Sequence, residues 1–129
     1  MAIPWSRMAA AARTVRGSSP SGSTMRFGLY RGSITLDPDF LDAAGISPWE
    51  KVLVANLENG ERFETYAIAG ERGSRVCCLN GATAHKGKAG DRVIVFTFCA
   101  LTPEEAATHR PRIVVFDGKD NEIVSSSPV

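Results

Sequence analysis

The sequence predicts a single, mainly β domain with two short helices. From residue 33 onward, short runs of β-prone apolar residues recur, and turn signals separate them. In two segments, a helix cap and a following proline indicate the start of a helix. A length of 129 residues suits one hydrophobic core and is too short for two ordinary domains. About six short strands in so small a chain favour a closed or nearly closed β-barrel.

The first helix is predicted directly after a short strand that begins near Ser33. Asp37 supplies its N-cap, Pro38 its first helical position and Gly45 its stop. The second helix is predicted over residues 102–110, with Thr102 as its cap. Both helices are short, so strands dominate the domain.

Strands account for the rest of the chain. Residues 52–57 and 62–68 are predicted to form a hairpin, with Asn59 and Gly60 as its two-residue turn. Three further strands are predicted, and the middle one is apolar enough to be buried on both faces: residues 76–79, 92–101 and 112–116.

The N-terminal segment differs in composition from the rest. Before Asp37 there is no acidic residue, but there are five arginines: Arg7, Arg13, Arg16, Arg26 and Arg31. Residues 17–23 are rich in Gly, Ser and Pro, which is typical of a flexible arm. We expect a flexible basic segment over residues 1–28 and a barrel domain over residues 29–129. An organelle transit segment is the alternative for this arm.

Composition and motifs exclude several functions. The net charge of +1 provides no broad field for nucleic acid, and no apolar stretch approaches the roughly 20 residues of a membrane helix. Glycine loops for phosphate, nucleophile elbows and HExxH helices are absent from the sequence. Cys77 and Cys78 would face opposite sides of a strand, so they cannot bind one metal together. We therefore expect a cytoplasmic protein with buried thiols, without a metal, a membrane or a nucleic-acid partner.

The remaining polar candidates lie on the hairpin and beside two glycines. Arg62 and Tyr66 are four residues apart on the return strand and share a face, whereas Thr65 points to the opposite one. Arg62 could bind a carboxylate by two parallel hydrogen bonds, and Tyr66 could donate a proton. Residue types alone favour an exposed arginine, a core tyrosine and a simple turn at Gly32-Ser33.

The order and spacing of these residues resemble the pyruvoyl-dependent aspartate 1-decarboxylases. The similarity runs without a gap from about Tyr30 to Asn121, through five segments: YRGS at 30–33, DPDFLDAAGI at 37–46, NGERFETYAIAGERGSR at 59–75, LNGATAH at 79–85 and GDRVIVFTF at 90–98. The resemblance implies a double-psi β-barrel and a homotetramer with active sites between subunits. It also implies conversion of L-aspartate to β-alanine and carbon dioxide, for pantothenate supply.

The same resemblance implies self-cleavage between Gly32 and Ser33. In such proenzymes the serine hydroxyl attacks the preceding carbonyl, and the resulting ester eliminates and hydrolyses. Ser33 would become a pyruvoyl group, which forms a Schiff base with the substrate, so neither a metal nor pyridoxal phosphate is required. Thr65 would position the Gly32 carbonyl, Asn80 would hold the ester, and Tyr30 would lie beside the cut.

Substrate-binding roles follow from the resemblance in the same way. Tyr66 would return a proton to the carbanion, and Arg62 would bind a substrate carboxylate. Asn80, Gly81 and Ala82 would line the substrate site.

The chain departs from the family's pattern before the cleavage site. Arg31 stands where many relatives have glutamate, and Gly17 stands where the family has a substrate-facing lysine. Arg16 is adjacent and is the candidate replacement, although a shift of one residue reverses the face of a strand. Two alternatives therefore stay open: a diverged enzyme for another acidic amino acid, and an inactive structural or regulatory relative.

Overall fold

The computed structural model describes residues 3–13 and 32–127, and the chain is mainly β, as predicted. Within these residues, none of the helices is long and apolar enough to cross a membrane. Eight strands and three short helices occur in the described ranges, in this order: β1 (Ile3–Arg13), β2 (Ser33–Leu36), α1 (Pro38–Ala44), β3 (Lys51–Asn56), β4 (Arg62–Ala69), β5 (Cys77–Asn80), a 3-10 helix (Gly81–Lys86), β6 (Arg92–Leu101), α2 (Pro103–Thr108), β7 (Ile113–Phe116) and β8 (Ile123–Ser127).

The described strands form one sheet in the order β5-β2-β4-β3-β6-β1-β7-β8. β2 lies between β5, to which it is antiparallel, and β4, to which it is parallel. β3 is antiparallel to both β4 and β6. The first residue of β2, Ser33, is therefore held inside the sheet rather than at its edge.

One face of this sheet builds the hydrophobic core. Ile34, Val54 and Val93 are fully buried on this face. Helix α1 covers it with Phe40, whose ring packs edge-on against Phe116 with the ring centroids 4.6 Å apart. Each fully buried aliphatic side chain contributes about 1.5–3 kcal/mol to folding. Among the polar candidates, Thr65 also faces the core, whereas Arg62 and Tyr66 lie on the opposite face.

Both predicted helices are confirmed together with their caps. The carboxylate of Asp37 accepts a hydrogen bond from the Asp39 N–H, and Gly45 ends α1 with a φ of 69°. Thr102 and Glu105 form a capping box at the start of α2, which ends two residues before the predicted position. The 3-10 helix was not predicted.

The predicted hairpin is confirmed, but its two-residue turn is wrong. The N–H of Asn56 donates to the carbonyl of Glu61 over 2.8 Å, so residues 57–60 form a four-residue loop. Gly60 has a positive φ of 76°, whereas Asn59 does not, and a type I′ turn requires it at both positions. The Asn59 side chain instead accepts the Glu61 N–H over 2.9 Å, and this bond stabilises the longer loop.

Strand β1 differs from the flexible arm expected over residues 1–28. Its backbone pairs antiparallel with β6 along most of its length and parallel with β7 over residues 8–10. Both partners lie far along the chain, so an alanine-rich local composition gave no sign of the strand. The remainder of that arm, including Arg16, lies outside the described residues.

The predicted buried thiols are confirmed for Cys77 and Cys78, whose side chains are both buried and unbridged. Burial raises the pKa of the Cys77 thiol to about 12, with a smaller contribution from Cys78. A thiol in this state stays protonated and chemically inert at neutral pH.

Candidate active site

Gly32 directly precedes β2, and Ser33 is the first residue of this strand. Ser33 is fully buried and pairs with Asn80 of β5. Gly32 has a φ of 105°, which side-chain-bearing residues rarely adopt. A Cβ atom at position 32 would lie 2.9 Å from Thr83 Cγ2 and 3.2 Å from the Asn80 carbonyl oxygen. The position before Ser33 therefore requires glycine for both conformation and space.

Thr65 contacts the carbonyl group of Gly32. Its buried hydroxyl donates a hydrogen bond to the Gly32 oxygen over 3.1 Å. The parallel pairing of β4 with β2 brings these two residues together. A donor at this oxygen draws electron density from the carbonyl carbon and stabilises negative charge that develops there.

Asn80 holds the hydroxyl of Ser33. Its Nδ2 donates to Ser33 Oγ over 3.1 Å and to Thr35 Oγ1 over 2.7 Å. The thiol of Cys78 donates to Oδ1 of the same amide over 3.3 Å. The thiol donates to the amide oxygen, and the two hydroxyls accept from the amide nitrogen. These contacts favour one of the two possible orientations of the Asn80 amide.

Arg62 and Tyr66 lie on the same face of the sheet as the Ser33 side chain. The register pairs Ile34 with Ala67, and both are fully buried on the core face. Since side chains alternate along a strand, Ser33 and Tyr66 belong to the opposite face. Arg62, four residues before Tyr66, shares that face.

Trp49 stacks on Tyr66 and was missed by sequence reasoning. The two ring centroids lie 5.9 Å apart with an interplanar angle of 25°. Trp49 has a φ of 71°, a left-handed conformation that costs a bulky residue about 1–2 kcal/mol. Its N–H donates to the Ala67 carbonyl over 2.7 Å, which holds it there. Nothing in the local sequence signals this conformation at a tryptophan.

The guanidinium of Arg62 is exposed and lies 5.8 Å from the centroid of the Phe96 ring. Across the described residues, no carboxylate lies within ion-pair distance of Arg62, whereas Lys51 on the neighbouring strand pairs with Glu64 at 2.9 Å. This cation is thus available for an added anionic group.

Gly81 and Ala82 open the 3-10 helix directly after Asn80. Gly81 is buried with a φ of 61°, and Ala82 is exposed. Tyr30 and Arg16 lie outside the described residues. Hydrogen bonds and strand pairing join four of the predicted residues into one cluster: Gly32, Ser33, Thr65 and Asn80.

Thr83 completes this cluster and was not predicted. Its buried hydroxyl lies 2.9 Å from the Ser33 carbonyl oxygen and 2.7 Å from that of Asn80. The contact with Ser33 joins positions 50 residues apart. A local sequence pattern cannot reveal such a contact.

Comparison with known proteins agrees with this geometry. The family model described as Aspartate decarboxylase matches residues 24–124, which is most of the chain. The chain belongs to the aspartate decarboxylase family. The double-psi β-barrel is the fold of this family, so the fold class expected from the sequence is confirmed at the level of the family.

Curated members of the family are similar over about three quarters of the chain. An aspartate 1-decarboxylase of Clostridium acetobutylicum is 57% identical over 94 residues, covering 73% of each protein. One of Neisseria meningitidis is 54% identical over 101 residues, which is 77% of this chain and 80% of the relative. One of Tolumonas auensis is 50% identical over 100 residues, covering 78% and 79%.

Proposed function

We propose that this chain is a self-processing, pyruvoyl-dependent enzyme that converts L-aspartate to β-alanine and carbon dioxide, the reaction that supplies pantothenate synthesis. The curated relatives named above are aspartate 1-decarboxylases. The observation that carries the proposal is the junction at Gly32 and Ser33, where a buried hydroxyl follows a carbonyl that Thr65 binds. A purely structural relative has no need of this arrangement.

Self-cleavage uses the chain's own groups. Ser33 Oγ attacks the Gly32 carbonyl carbon, and the acyl group moves from nitrogen to oxygen to give an ester. Negative charge develops on the Gly32 oxygen, to which the Thr65 hydroxyl donates at 3.1 Å. Asn80 Nδ2 donates to Ser33 Oγ and holds the nucleophile in place.

The residues around position 33 fit a pyruvoyl group. Such a group keeps the carbonyl of residue 33 and has a ketone and a methyl group where serine has its nitrogen and hydroxymethyl group, so it needs no more space. Asn80 and Thr83 direct donors toward this position. When present, the group supplies an electron sink for the loss of the carboxylate.

Arg62 and Tyr66 are the proposed substrate-binding and proton-donating residues. The planar guanidinium of Arg62 suits a carboxylate of aspartate, because it offers two parallel donors. Tyr66 lies on the face that holds the Ser33 side chain, where its phenol protonates the substrate carbon after carbon dioxide has left. Asn80, Gly81 and Ala82 line the substrate on the other side.

We also propose a homotetramer with active sites between subunits. Two large apolar side chains, Trp49 and Phe98, are 71% and 55% exposed in the single chain. Strand register places Phe98 on the same face as Phe96 and Arg62. Burial of such a face between subunits would bring a second chain to the exposed Arg62.

Mass spectrometry of the purified protein tests the proposed function. We expect a fragment that ends at Gly32 and a second fragment that begins with a pyruvoyl group in place of Ser33. Ser33→Ala should stay intact, because it has no hydroxyl to attack the carbonyl. The cleaved protein should release carbon dioxide and β-alanine from aspartate. An intact wild-type chain after prolonged incubation would contradict self-processing. A preference for glutamate over aspartate would contradict the assignment of aspartate as the substrate.

A further inference from the structure

We propose that Thr83 is a further self-processing donor, which stabilises negative charge on the carbonyl oxygen of Ser33 when the ester eliminates. This inference rests on the proposed self-cleavage at Gly32 and Ser33. Thr83 is assigned to the elimination, which breaks the chain, whereas Thr65 acts in the earlier step, which forms the ester.

Two threonine hydroxyls contact the two carbonyl groups that flank the reacting serine. Thr65 donates to the Gly32 oxygen at 3.1 Å, and Thr83 lies 2.9 Å from the Ser33 oxygen. The two oxygens become charged at different stages. The Gly32 oxygen is the oxyanion of the acyl shift, and the Ser33 oxygen is that of the elimination.

The elimination removes the α-proton of Ser33 to a water molecule. The electron pair of the Cα–H bond forms a Cα–Cβ double bond, the Cβ–Oγ bond breaks, and its pair leaves with the Gly32 carboxylate. While the proton departs, charge spreads onto the adjacent carbonyl oxygen of Ser33, as in an enolate. The dehydroalanine then takes up water and releases ammonia, which leaves the pyruvoyl group. A donor at the Ser33 oxygen lowers the barrier to the first of these events.

The hydroxyl of Thr83 has one proton and two neighbouring acceptors. It lies 2.7 Å from the Asn80 carbonyl oxygen and 2.9 Å from that of Ser33. A charged oxygen is a stronger acceptor than a neutral carbonyl, so the proton turns to Ser33 as charge develops there. Thr83 is only 6% exposed, and its burial from water strengthens this bond.

A purely structural role explains only one of the two contacts of the Thr83 hydroxyl. Threonines in helices commonly donate to a carbonyl three or four residues earlier, which accounts for the contact with Asn80. It does not account for the contact with Ser33, on another strand and 50 residues away. The methyl group of Thr83 also lies against the space that a Cβ at Gly32 would fill.

Thr83→Val tests the proposal, because valine keeps the shape and removes the hydroxyl. We expect pyruvoyl formation to slow roughly a hundredfold, the usual effect of removing one oxyanion donor, and the ester to accumulate. Neutral hydroxylamine should then cut the chain, giving a hydroxamate at Gly32 and an unmodified Ser33 terminus by mass spectrometry. Thr97→Val is the matched control, since Thr97 is buried and its hydroxyl has no partner in the described residues. It should process at the wild-type rate.

Several results would overturn the assignment. Wild-type processing of Thr83→Val would remove Thr83 from the reaction. An uncut chain that resists hydroxylamine would place the block before the ester and refute the assigned step. If Thr83→Val fails to fold, Thr83→Ser and Thr83→Ala provide the comparison, since both lack the methyl group; equal rates would overturn the proposal. Failure of the wild type to cut would refute the proposed function itself and is visible without any Thr83 variant.

Discussion

The phenol of Tyr66 is separable from the machinery that cuts the chain, because none of the hydrogen bonds to Gly32 or Ser33 in the described residues comes from it. We expect Tyr66→Phe to fold and self-cleave almost normally, since one hydroxyl contributes about 1 kcal/mol to stability. Its decarboxylation should fall by about a hundredfold or more, because a positioned proton donor contributes that much. Trp49 can still stack on the phenylalanine ring.

Measuring pyruvoyl content and β-alanine formation on the same sample tests this separation. Ser33→Ala provides the uncut and inactive reference. Normal turnover by Tyr66→Phe would exclude the tyrosine as proton donor. Loss of cleavage in this variant would show that its hydroxyl acts earlier than we propose.

Residue order reveals some members of the site and hides others. Gly32, Ser33 and Asn80 are predicted site residues because they occur in short segments that resemble a family. Thr83 lies in one of these segments, but its contact with Ser33 is visible only in the fold, and the left-handed backbone of Trp49 likewise has no local signal. Neither property leaves a periodic or compositional signal in the sequence.

The N-cap of α1 also anchors a distant loop. Asp37 is almost fully buried, and its carboxylate accepts hydrogen bonds from the N–H groups of Asp39, Gly73 and Arg75 at 2.8, 3.2 and 2.7 Å. Burial alone would raise the pKa of this carboxyl group, but these bonds, with the nearby Arg72, lower the pKa below its ordinary value of 3.8. The charged form is therefore favoured by folding.

Asp37→Asn should lower the free energy of unfolding by roughly 1–3 kcal/mol at pH 7, because an amide nitrogen would face a backbone donor. A pKa that is lower in the folded state stabilises the protein above the unfolded pKa, and that stability is lost as the pH falls through the folded value. The difference between wild type and variant should therefore narrow below about pH 4. Urea unfolding of both proteins at pH 7 and pH 3 measures this difference in the free energy of unfolding. The exposed Asp120→Asn is the control, and a difference independent of pH would contradict this role for Asp37.

Elements with local signals were the predictable ones. Caps and prolines lie within a few residues of the helices that they define, as at Asp37 and Thr102, and both helices begin where expected. The two-residue turn was wrong because the side-chain oxygens of Asn56 and Asn59 accept hydrogen bonds from backbone N–H groups and favour a longer loop. Strand β1 was missed because its existence depends on β6 and β7.

For the molecule as a whole, most of the described strands could be predicted, but β1 and β8 were missed and the strand order was not predicted. The apolar runs identified β6 at its observed bounds, Arg92–Leu101. The order places β2 between β4 and β5, and β1 between β6 and β7, and these pairings join segments that are far apart in the chain. Pairing of this kind depends on the whole core rather than on any one segment.

A cut between Gly32 and Ser33 would leave β1 on one polypeptide and the other described strands on a second. Non-covalent contacts, chiefly the pairing with β6 and β7, would then retain β1. Refolding would become a bimolecular reaction that obeys mass action. The urea midpoint of the cut protein should rise with concentration more steeply than that of Ser33→Ala, and equal slopes would contradict this. The uncut chain can refold as a single molecule, but the mature protein cannot. After unfolding, its larger fragment would have to bind a separate fragment that carries β1.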